Sequence, residues 1–223
     1  MADNKKLIRN TVPLSSCIGN PNFLPIALIV LGVPGTGKTV VSINLAKLLK
    51  INSVINTDFI REVLRFKGEA ETDPFLFASS FDAWKVLGDS SEKNIIKGWT
   101  FSRQAITGAV QQLMRVEFDR KRDFILEGTL APRPNTMFSA IGCCVHVLLT
   151  LSSKEERLKR LEIKAVESRG KKIDRWFTGL DVTQQIQDYL LLEAKQNNYT
   201  IIENTSLDAT VDEIINIPIP VPN

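Results

Sequence analysis

Eight consecutive residues, Gly32 to Thr39, constrain the fold of this chain more than any other stretch. They read GVPGTGKT and follow an apolar run from Leu24 to Leu31, which is typical of a strand buried on both faces. The residues behind them, Thr39 to Lys50, place apolar side chains at helical spacing. A plain glycine turn between a core strand and a core helix is the alternative. The order of strand, glycine-rich loop, lysine, threonine and helix instead predicts a phosphate-binding loop.

The residue types of this loop suit the phosphates of ATP together with Mg²⁺. Glycines allow successive backbone N–H groups to point into one concavity, and the helix that follows adds its positive N-terminal end. Lys38 is predicted to reach the β- and γ-phosphates and to be catalytic, and the Thr39 hydroxyl is predicted to ligate Mg²⁺. The predicted ATP-binding residues are Gly32, Pro34, Gly35, Thr36, Gly37, Lys38 and Thr39.

The composition of the 223 residues is that of an ordinary soluble globular protein, with 43% hydrophobic and 24% charged residues. We expect one domain over residues 1–223, and the net charge of +3 is too small to indicate nucleic acid as a partner. No membrane segment or signal peptide is expected, since the apolar runs are too short. Three cysteines, Cys17, Cys143 and Cys144, cannot all pair, which favours a reducing cytoplasm. The sequence leaves a monomer and a homodimer open.

A short second strand is predicted from Ser53 to Thr57, with Asp58 at its carboxyl end. Ligands of open α/β sheets collect at the carboxyl ends of strands, so Asp58 is a candidate base or orienting group for an acceptor hydroxyl. Capping the next helix is a second, compatible role. Arg61 and Arg65 share one face of that helix and are candidates for a substrate anion, with Arg61 also a catalytic candidate. A solvated helix face is the alternative for both arginines.

Residues 68–122 contain no convincing strand and are predicted to form a helical substrate cap over the sheet. The stretch Phe75 to Leu87 suggests one helix, and Ile95 to Arg120 suggests a longer one. The aromatic side chains of this insertion are expected to be core. Its candidate substrate-binding residues are Ser79, Ser80 and Arg103.

An apolar strand from Asp123 to Thr129 carries Glu127 close to its end. A carboxylate in that position is suited to hold Mg²⁺ or its waters, together with Thr39, although it could also cap the turn at Gly128. Arg133 in the following turn is expected to face the same edge of the sheet. The only histidine, His146, lies inside another apolar strand and is interpreted as a buried core residue.

Positive charge is concentrated from Lys154 to Arg175, where there are nine Lys and Arg against five Asp and Glu. A basic lid is predicted over about residues 154–182, with a break at Gly170, and a solvated charged helix is the alternative. The five predicted strands alternate with helices. They predict an α/β fold of the P-loop NTPase class, a five-stranded parallel sheet flanked by helices and carrying the cap and the lid. The parts together indicate phosphoryl transfer from ATP to a small anionic substrate.

Four segments outside the phosphate loop form a distinctive set. They read VINTDFIREVLR, FASSFDAW, FILEGT and IQDYLLLEAKQNNYTIIENTSLDATVDEII. These resemble the segments (I/V)STDxIRExxR, SSYxAW, IIEGVH and IQDYL followed by an ENxSL-type stretch in the archaeal 2-phosphoglycerate kinase family. The resemblance covers about residues 24–215. The phosphate loop is shared by many NTPases, whereas the combination of the TDxIRE and IQDYL segments is much narrower.

The resemblance implies ATP-dependent phosphorylation of the 3-hydroxyl of 2-phosphoglycerate, giving 2,3-bisphosphoglycerate. It supports the roles given above to Lys38, Thr39, Asp58, Arg61 and Glu127, strengthens Ser79 and Ser80, and adds Arg175 as a catalytic candidate in the lid. The chain departs from the family pattern at Phe77 and Leu130, where histidines are expected. The 23 residues before the first strand are also too short for the regulatory extension of many family members.

Two other classes of function remain open from the sequence. A P-loop kinase of another acceptor, such as a charged tRNA, a polynucleotide end or a sugar alcohol, would also place a carboxylate after the second strand. A nucleic-acid substrate should need a basic stripe with exposed aromatic residues beyond the lid, which is not found. A non-catalytic ATP-binding switch is the other class, and it would not need the hydroxyl-orienting carboxylate of Asp58.

Overall fold

The structure is a computed structural model that describes residues 10–134, 136–167 and 179–222. The strands in these residues are β1 (Thr11–Pro13), β2 (Ile26–Leu31), β3 (Val54–Asn56), β4 (Phe124–Glu127), β5 (Cys143–Thr150), β6 (Thr200–Glu203) and β7 (Pro218–Pro220). The α-helices are α1 (Lys38–Leu49), α2 (Thr57–Arg65), α3 (Pro74–Phe77), α4 (Glu92–Asp119), α5 (Lys154–Glu167), α6 (Leu180–Gln196) and α7 (Leu207–Ile215).

Five of the strands form one parallel sheet in the order β3-β4-β2-β5-β6. All six residues of the central strand β2 are buried, as its unbroken apolar sequence predicts for a strand covered on both faces. Because neighbouring strands are parallel, their carboxyl ends meet at one edge of the sheet. That edge carries the loops after β2, β3 and β4, which contain the predicted site residues.

Helices cover both faces of the sheet, and each face has its own apolar core. One core includes Trp99 and Ile106 of α4 and Leu190 of α6. The other includes Val41 of α1 and Ile214 of α7. The predicted fold class, a parallel five-stranded α/β fold flanked by helices, is therefore confirmed.

The cap insertion, residues 68–122, differs from its prediction in the first half. Phe75 to Leu87 is not one helix, because α3 ends at Phe77 and Ala78 is extended, with φ −65° and ψ 150°. A 3₁₀ turn over Ala83–Val86 follows and packs on α4. At that contact a Cβ on Gly98 would lie 2.6 Å from the carbonyl carbon of Ala83, so a glycine is required there. The long second helix is confirmed as α4, Glu92–Asp119.

The two ends of the described chain pair with each other. Strand β1 pairs antiparallel with β7, so that Thr11 is opposite Pro220 and Pro13 is opposite Pro218. The sequence analysis did not predict this two-stranded sheet. None of the helices within the described residues has the length and apolar character needed to cross a bilayer.

Candidate active site

The phosphate-binding loop is held by a residue that follows β6, the edge strand of the sheet. The Asn204 side chain, just after β6, donates a hydrogen bond to the Thr36 carbonyl at 2.8 Å. Gly37 has φ +83°, and a Cβ on it would lie 2.5 Å from the same Asn204 amide. A residue other than glycine would be strained at this point and would collide with the Asn204 amide that holds the loop. The cradle therefore has the glycine-dependent shape that polyphosphate binding requires.

Lys38 is the first residue of α1, and its ammonium donates to the Val33 carbonyl at 3.0 Å. Burial lowers the pKa of Lys38 to about 8, Glu127 opposes that change, and Lys164 adds to it. A half-buried ammonium whose pKa is lowered in this way is placed to gain from an anionic ligand, which would supply a counter-charge.

Glu127, at the carboxyl end of β4, is 2% exposed. Its Oε1 accepts hydrogen bonds from the Thr39 hydroxyl at 3.0 Å and from the Asn56 amide. The structure thus brings together the two residues predicted to serve Mg²⁺. In residues 10–134, 136–167 and 179–222, no group of three or more His, Cys, Asp or Glu could hold a metal ion by itself. This donor set fits a Mg²⁺ that takes its remaining ligands from phosphates and water.

Asp58 lies in the first turn of α2 rather than at the end of a strand. Asn56 caps this helix, because its side-chain oxygen accepts from the backbone N–H groups of Asp58 at 2.7 Å and Phe59 at 3.3 Å. The capping role considered for Asp58 is therefore wrong. Its carboxylate pairs at 3.0 Å with Arg61, one turn along the helix, and still has 65% of the side chain exposed.

Arg61 joins Asp58 to the cap insertion. Its Nη2 contacts Asp58 Oδ1, and its Nη1 donates to the Ser80 hydroxyl at 3.0 Å. Arg61 and Ser80 are both buried. Three of the predicted site residues, from two separate stretches of sequence, therefore form one connected unit.

A cavity of about 550 Å³ brings the phosphate loop and this unit together. The predicted residues that line it are Pro34, Lys38, Thr39, Asp58, Arg61, Arg65, Ser79, Ser80 and Glu127. Further lining residues that were not predicted as site residues are Asn56, Glu62, Phe77, Phe81, Gly128, Thr129, Leu161, Lys164, Gly179 and Thr183. The sequence analysis counted Lys164 only as part of the basic segment from Lys154 to Arg175. No motif around Lys164 indicates that it lines the cavity.

Arg103 does not line this cavity. It is 4% exposed, forms a two-pronged ion pair with Glu193 of α6 at 2.8 and 2.9 Å, and stacks 4.4 Å from the ring centre of Trp99. Arg133 contacts the same carboxylate at 2.6 Å and does not line the cavity either. The substrate-binding role predicted for Arg103 and the orientation predicted for Arg133 are wrong, because Glu193 holds both guanidinium groups.

We expect Arg103→Met to destabilise the fold by about 3 kcal/mol, the lower end of the range for breaking a buried ion pair, because Glu193 keeps Arg133. Urea unfolding followed by circular dichroism measures this. The matched control is Arg120→Met, an exposed arginine at the end of the same helix, with an expected change within about 0.5 kcal/mol. Unchanged stability together with weaker acceptor binding would contradict this structural role and indicate that Arg103 binds the substrate.

His146 lies on β5 and stacks on Tyr199, with ring centres 4.8 Å apart. Burial lowers the pKa of His146 to about 4, so the imidazole is neutral at physiological pH. The interpretation of His146 as a core residue is confirmed. Of the two departures from the family pattern, Leu130 is fully buried and does not line the cavity, whereas Phe77 does.

The structure describes only part of the segment predicted to be a lid, residues 154–182. Helix α5 lies in the first part of this segment and brings Leu161 and Lys164 to the cavity. Arg175, like Gly170, lies outside the described residues.

A glycine-rich loop between the central strand and α1, at the carboxyl edge of a parallel sheet, together with Glu127 beside Thr39, defines the fold class as a P-loop NTPase. The chain is also similar to curated archaeal proteins named 2-phosphoglycerate kinase. It is 30% identical over 195 residues to that of Methanocaldococcus jannaschii, covering 86% of this chain and 63% of the relative. It is also 30% identical over 193 residues to that of Pyrococcus horikoshii, covering 86% of this chain and 64% of the relative. The resemblance predicted from the motifs is confirmed.

The chain spans a little less than two thirds of the length of these curated relatives. No family model matches it. Among solved structures it is similar to a shikimate kinase from Bacteroides thetaiotaomicron, with a TM-score of 0.47 and 17% identity over 85% of this chain and 94% of that one. It is also similar to a putative kinase from Chloroflexus aurantiacus, with a TM-score of 0.44 and 13% identity over 86% of this chain and 97% of that one.

Proposed function

We propose that this protein is an ATP-dependent phosphotransferase that phosphorylates a hydroxyl of a small phosphorylated acid, with 2-phosphoglycerate as acceptor and 2,3-bisphosphoglycerate as product. The observation that carries the proposal is the unit of Asp58, Arg61 and Ser80, which lines the same cavity as Lys38 and Thr39. The names of the archaeal relatives support this choice of acceptor.

The loop side of the cavity suits the nucleotide. The backbone of Gly32 to Gly37 and the Lys38 ammonium would hold the phosphates of ATP, and Thr39 with Glu127 would hold Mg²⁺. Bound Mg²⁺ would neutralise charge on the β- and γ-phosphates as the transferred group leaves. The hydrogen bond between Thr39 and Glu127 supports this assignment, because it places the two oxygens 3.0 Å apart, close enough to bind one ion or its waters.

The α2 side of the cavity suits the acceptor. Asp58 would accept a hydrogen bond from the acceptor hydroxyl and orient it toward the γ-phosphate. The hydroxyl proton would pass to this carboxylate as the new O–P bond forms and the bond between the γ-phosphorus and the β–γ bridging oxygen breaks, with ADP as the leaving group. Arg61 would meet the acceptor's anionic groups, and the hydroxyls of Ser79 and Ser80 would complete the wall. Lys164 adds a further cation on the lid side, and we retain Arg175 as a catalytic candidate from the resemblance.

A reducing cytoplasm remains our proposal for the location. Cys17, Cys143 and Cys144 are free thiols in the structure. Burial raises the pKa of Cys144 to about 12, so this thiol is unreactive as a nucleophile. Buried Cys17 and half-buried Cys143 and Cys144, all with free thiols, are consistent with a reducing compartment.

We expect Arg61→Ala to weaken 2-phosphoglycerate binding by about 10-fold or more, since a charge-assisted hydrogen bond contributes about 1.5–3 kcal/mol. ATP affinity should change by less than about threefold. Isothermal titration calorimetry with 2-phosphoglycerate, 3-phosphoglycerate and glycerate, each in the presence of a non-hydrolysable ATP analogue and Mg²⁺, measures both.

The matched control is Arg120→Ala, which removes an exposed arginine at the residue after α4 and does not affect the cavity lining. Equal affinity of the wild-type protein for unphosphorylated glycerate and 2-phosphoglycerate would contradict the proposed acceptor. So would the absence of binding by all three compounds.

A further inference from the structure

Arg65 shares a face of α2 with Arg61, lines the same cavity and looks like a second anion-binding arginine. Its contacts indicate another role. Nε donates to the Leu76 carbonyl at 2.8 Å, and Nη2 donates to the carbonyls of Phe77 at 2.8 Å and Ala78 at 3.1 Å. Nη1 donates to Glu62 at 2.7 Å. One guanidinium therefore binds three successive carbonyls and a carboxylate.

The number of donors limits what Arg65 can do in addition. A guanidinium has five N–H groups, and these contacts use four of them. Bidentate binding of a phosphate or carboxylate needs two parallel N–H groups from the fork. Arg65 cannot present such a pair to a substrate while it holds the cap insertion.

The Arg65 guanidinium supplies the hydrogen-bond donors for the three carbonyls. They lie at the end of α3, a helix of four residues whose backbone turns to an extended conformation at Ala78. The last carbonyls of a helix have no partner within the helix and must find one elsewhere. If Arg65 turned toward a ligand, three carbonyls in a half-buried place would lose their donor together, which is costly.

The segment that Arg65 holds continues directly into the wall of the cavity. We call residues 76–81 the wall segment; Phe77, Ser79, Ser80 and Phe81 in it line the cavity. Arg61 binds the wall segment at Ser80, and Arg65 binds it at its beginning. Helix α2 thus fixes the wall segment at two points one helical turn apart, and the same helix carries Asp58 one turn before Arg61.

We propose that Arg65 is a positioning residue that sets the distance and orientation of the wall segment relative to Asp58, and is not a ligand of the substrate. This inference deepens the proposed function and rests on it for the identity of the acceptor. The hydrogen bonds from Arg65 to the wall segment do not depend on which acceptor is bound. Two consequences follow: loss of Arg65 frees the wall segment in the absence of any ligand, and a lysine cannot replace it, because one ammonium cannot reproduce the planar fork.

The test uses the full chain and three variants, Arg65→Met, Arg65→Lys and the control Arg120→Met. Arg120 is a matched control because it also pairs with a glutamate three residues earlier and lies outside the cavity. Hydrogen–deuterium exchange of the ligand-free proteins is read at the amides of residues 76–81. Steady-state kinetics then gives kcat and KM for ATP and for 2-phosphoglycerate.

We expect both Arg65 variants to exchange about 10-fold or more faster in the wall segment than the wild type, with α1 and β2 unchanged. We expect kcat to fall about 10-fold or more in both, KM for ATP to stay within about twofold, and Arg120→Met to match the wild type. Unchanged exchange in the wall segment, or recovery of 2-phosphoglycerate KM and kcat by Arg65→Lys, would overturn the inference and make Arg65 a direct anion ligand. If the wild type does not turn over 2-phosphoglycerate, the proposed function fails, and the exchange result still decides the role of Arg65.

Discussion

Asp58→Asn is expected to lower kcat by about 10²–10⁴-fold while leaving the affinity for ATP within a few-fold. Asparagine keeps the size of the side chain and can keep a hydrogen bond to Arg61, but it cannot take the proton from an acceptor hydroxyl. The helix should remain capped, because Asn56 and not Asp58 accepts the first-turn N–H groups. Rapid-quench transfer assays and nucleotide titration measure the two quantities separately.

Asp208→Asn is the matched control for this variant. Asp208 is also the second residue of a helix, is exposed and does not line the cavity. Its replacement should leave kcat unchanged. If Asp58→Asn abolished ATP binding in a folded protein, Asp58 would belong to the metal site, and the assignment of Glu127 would have to be revised.

Lys38→Met is expected to lower kcat by about 10²–10³-fold, the range for removing one preorganised donor from developing transition-state charge. The ammonium is half-buried and donates to the loop carbonyl of Val33. Its contact should strengthen as charge spreads over the transferred phosphoryl group. Methionine fills the same space without charge, so the fold should tolerate it.

Lys47→Met is the control, since Lys47 is exposed in the last turn of the same helix. It should retain wild-type turnover. A Lys38→Met protein with an unchanged rate of acceptor-dependent ATP consumption would remove the phosphate-binding role from this loop.

Local patterns in the sequence predicted the nucleotide side of the site. The phosphate loop, its flanking strand and helix, and the carboxylate of Glu127 at a strand end each depend on a few neighbouring residues. Their positions in the structure follow from the parallel sheet, which brings the carboxyl ends of β2, β3 and β4 to one edge. This part of the site could therefore be predicted.

Contacts between distant residues decided the parts that could not be predicted. Arg103 and Arg133 are held by Glu193, which is 90 and 60 residues away. The break of the predicted helix over Phe75 to Leu87 depends on the arginines of α2 and on close packing at Gly98. A shift of two residues in the start of α2 decided whether Asn56 or Asp58 caps it. Helical periodicity contains none of this information.

The most direct test of the central claim is the product formed by the wild-type protein from ATP, Mg²⁺ and 2-phosphoglycerate, followed by ³¹P nuclear magnetic resonance. We expect ADP and 2,3-bisphosphoglycerate to appear in equal amounts, with no transfer to glycerate and slower or no transfer to 3-phosphoglycerate. ATP hydrolysis to free phosphate at a rate independent of 2-phosphoglycerate, with no bisphosphoglycerate formed, would contradict the account.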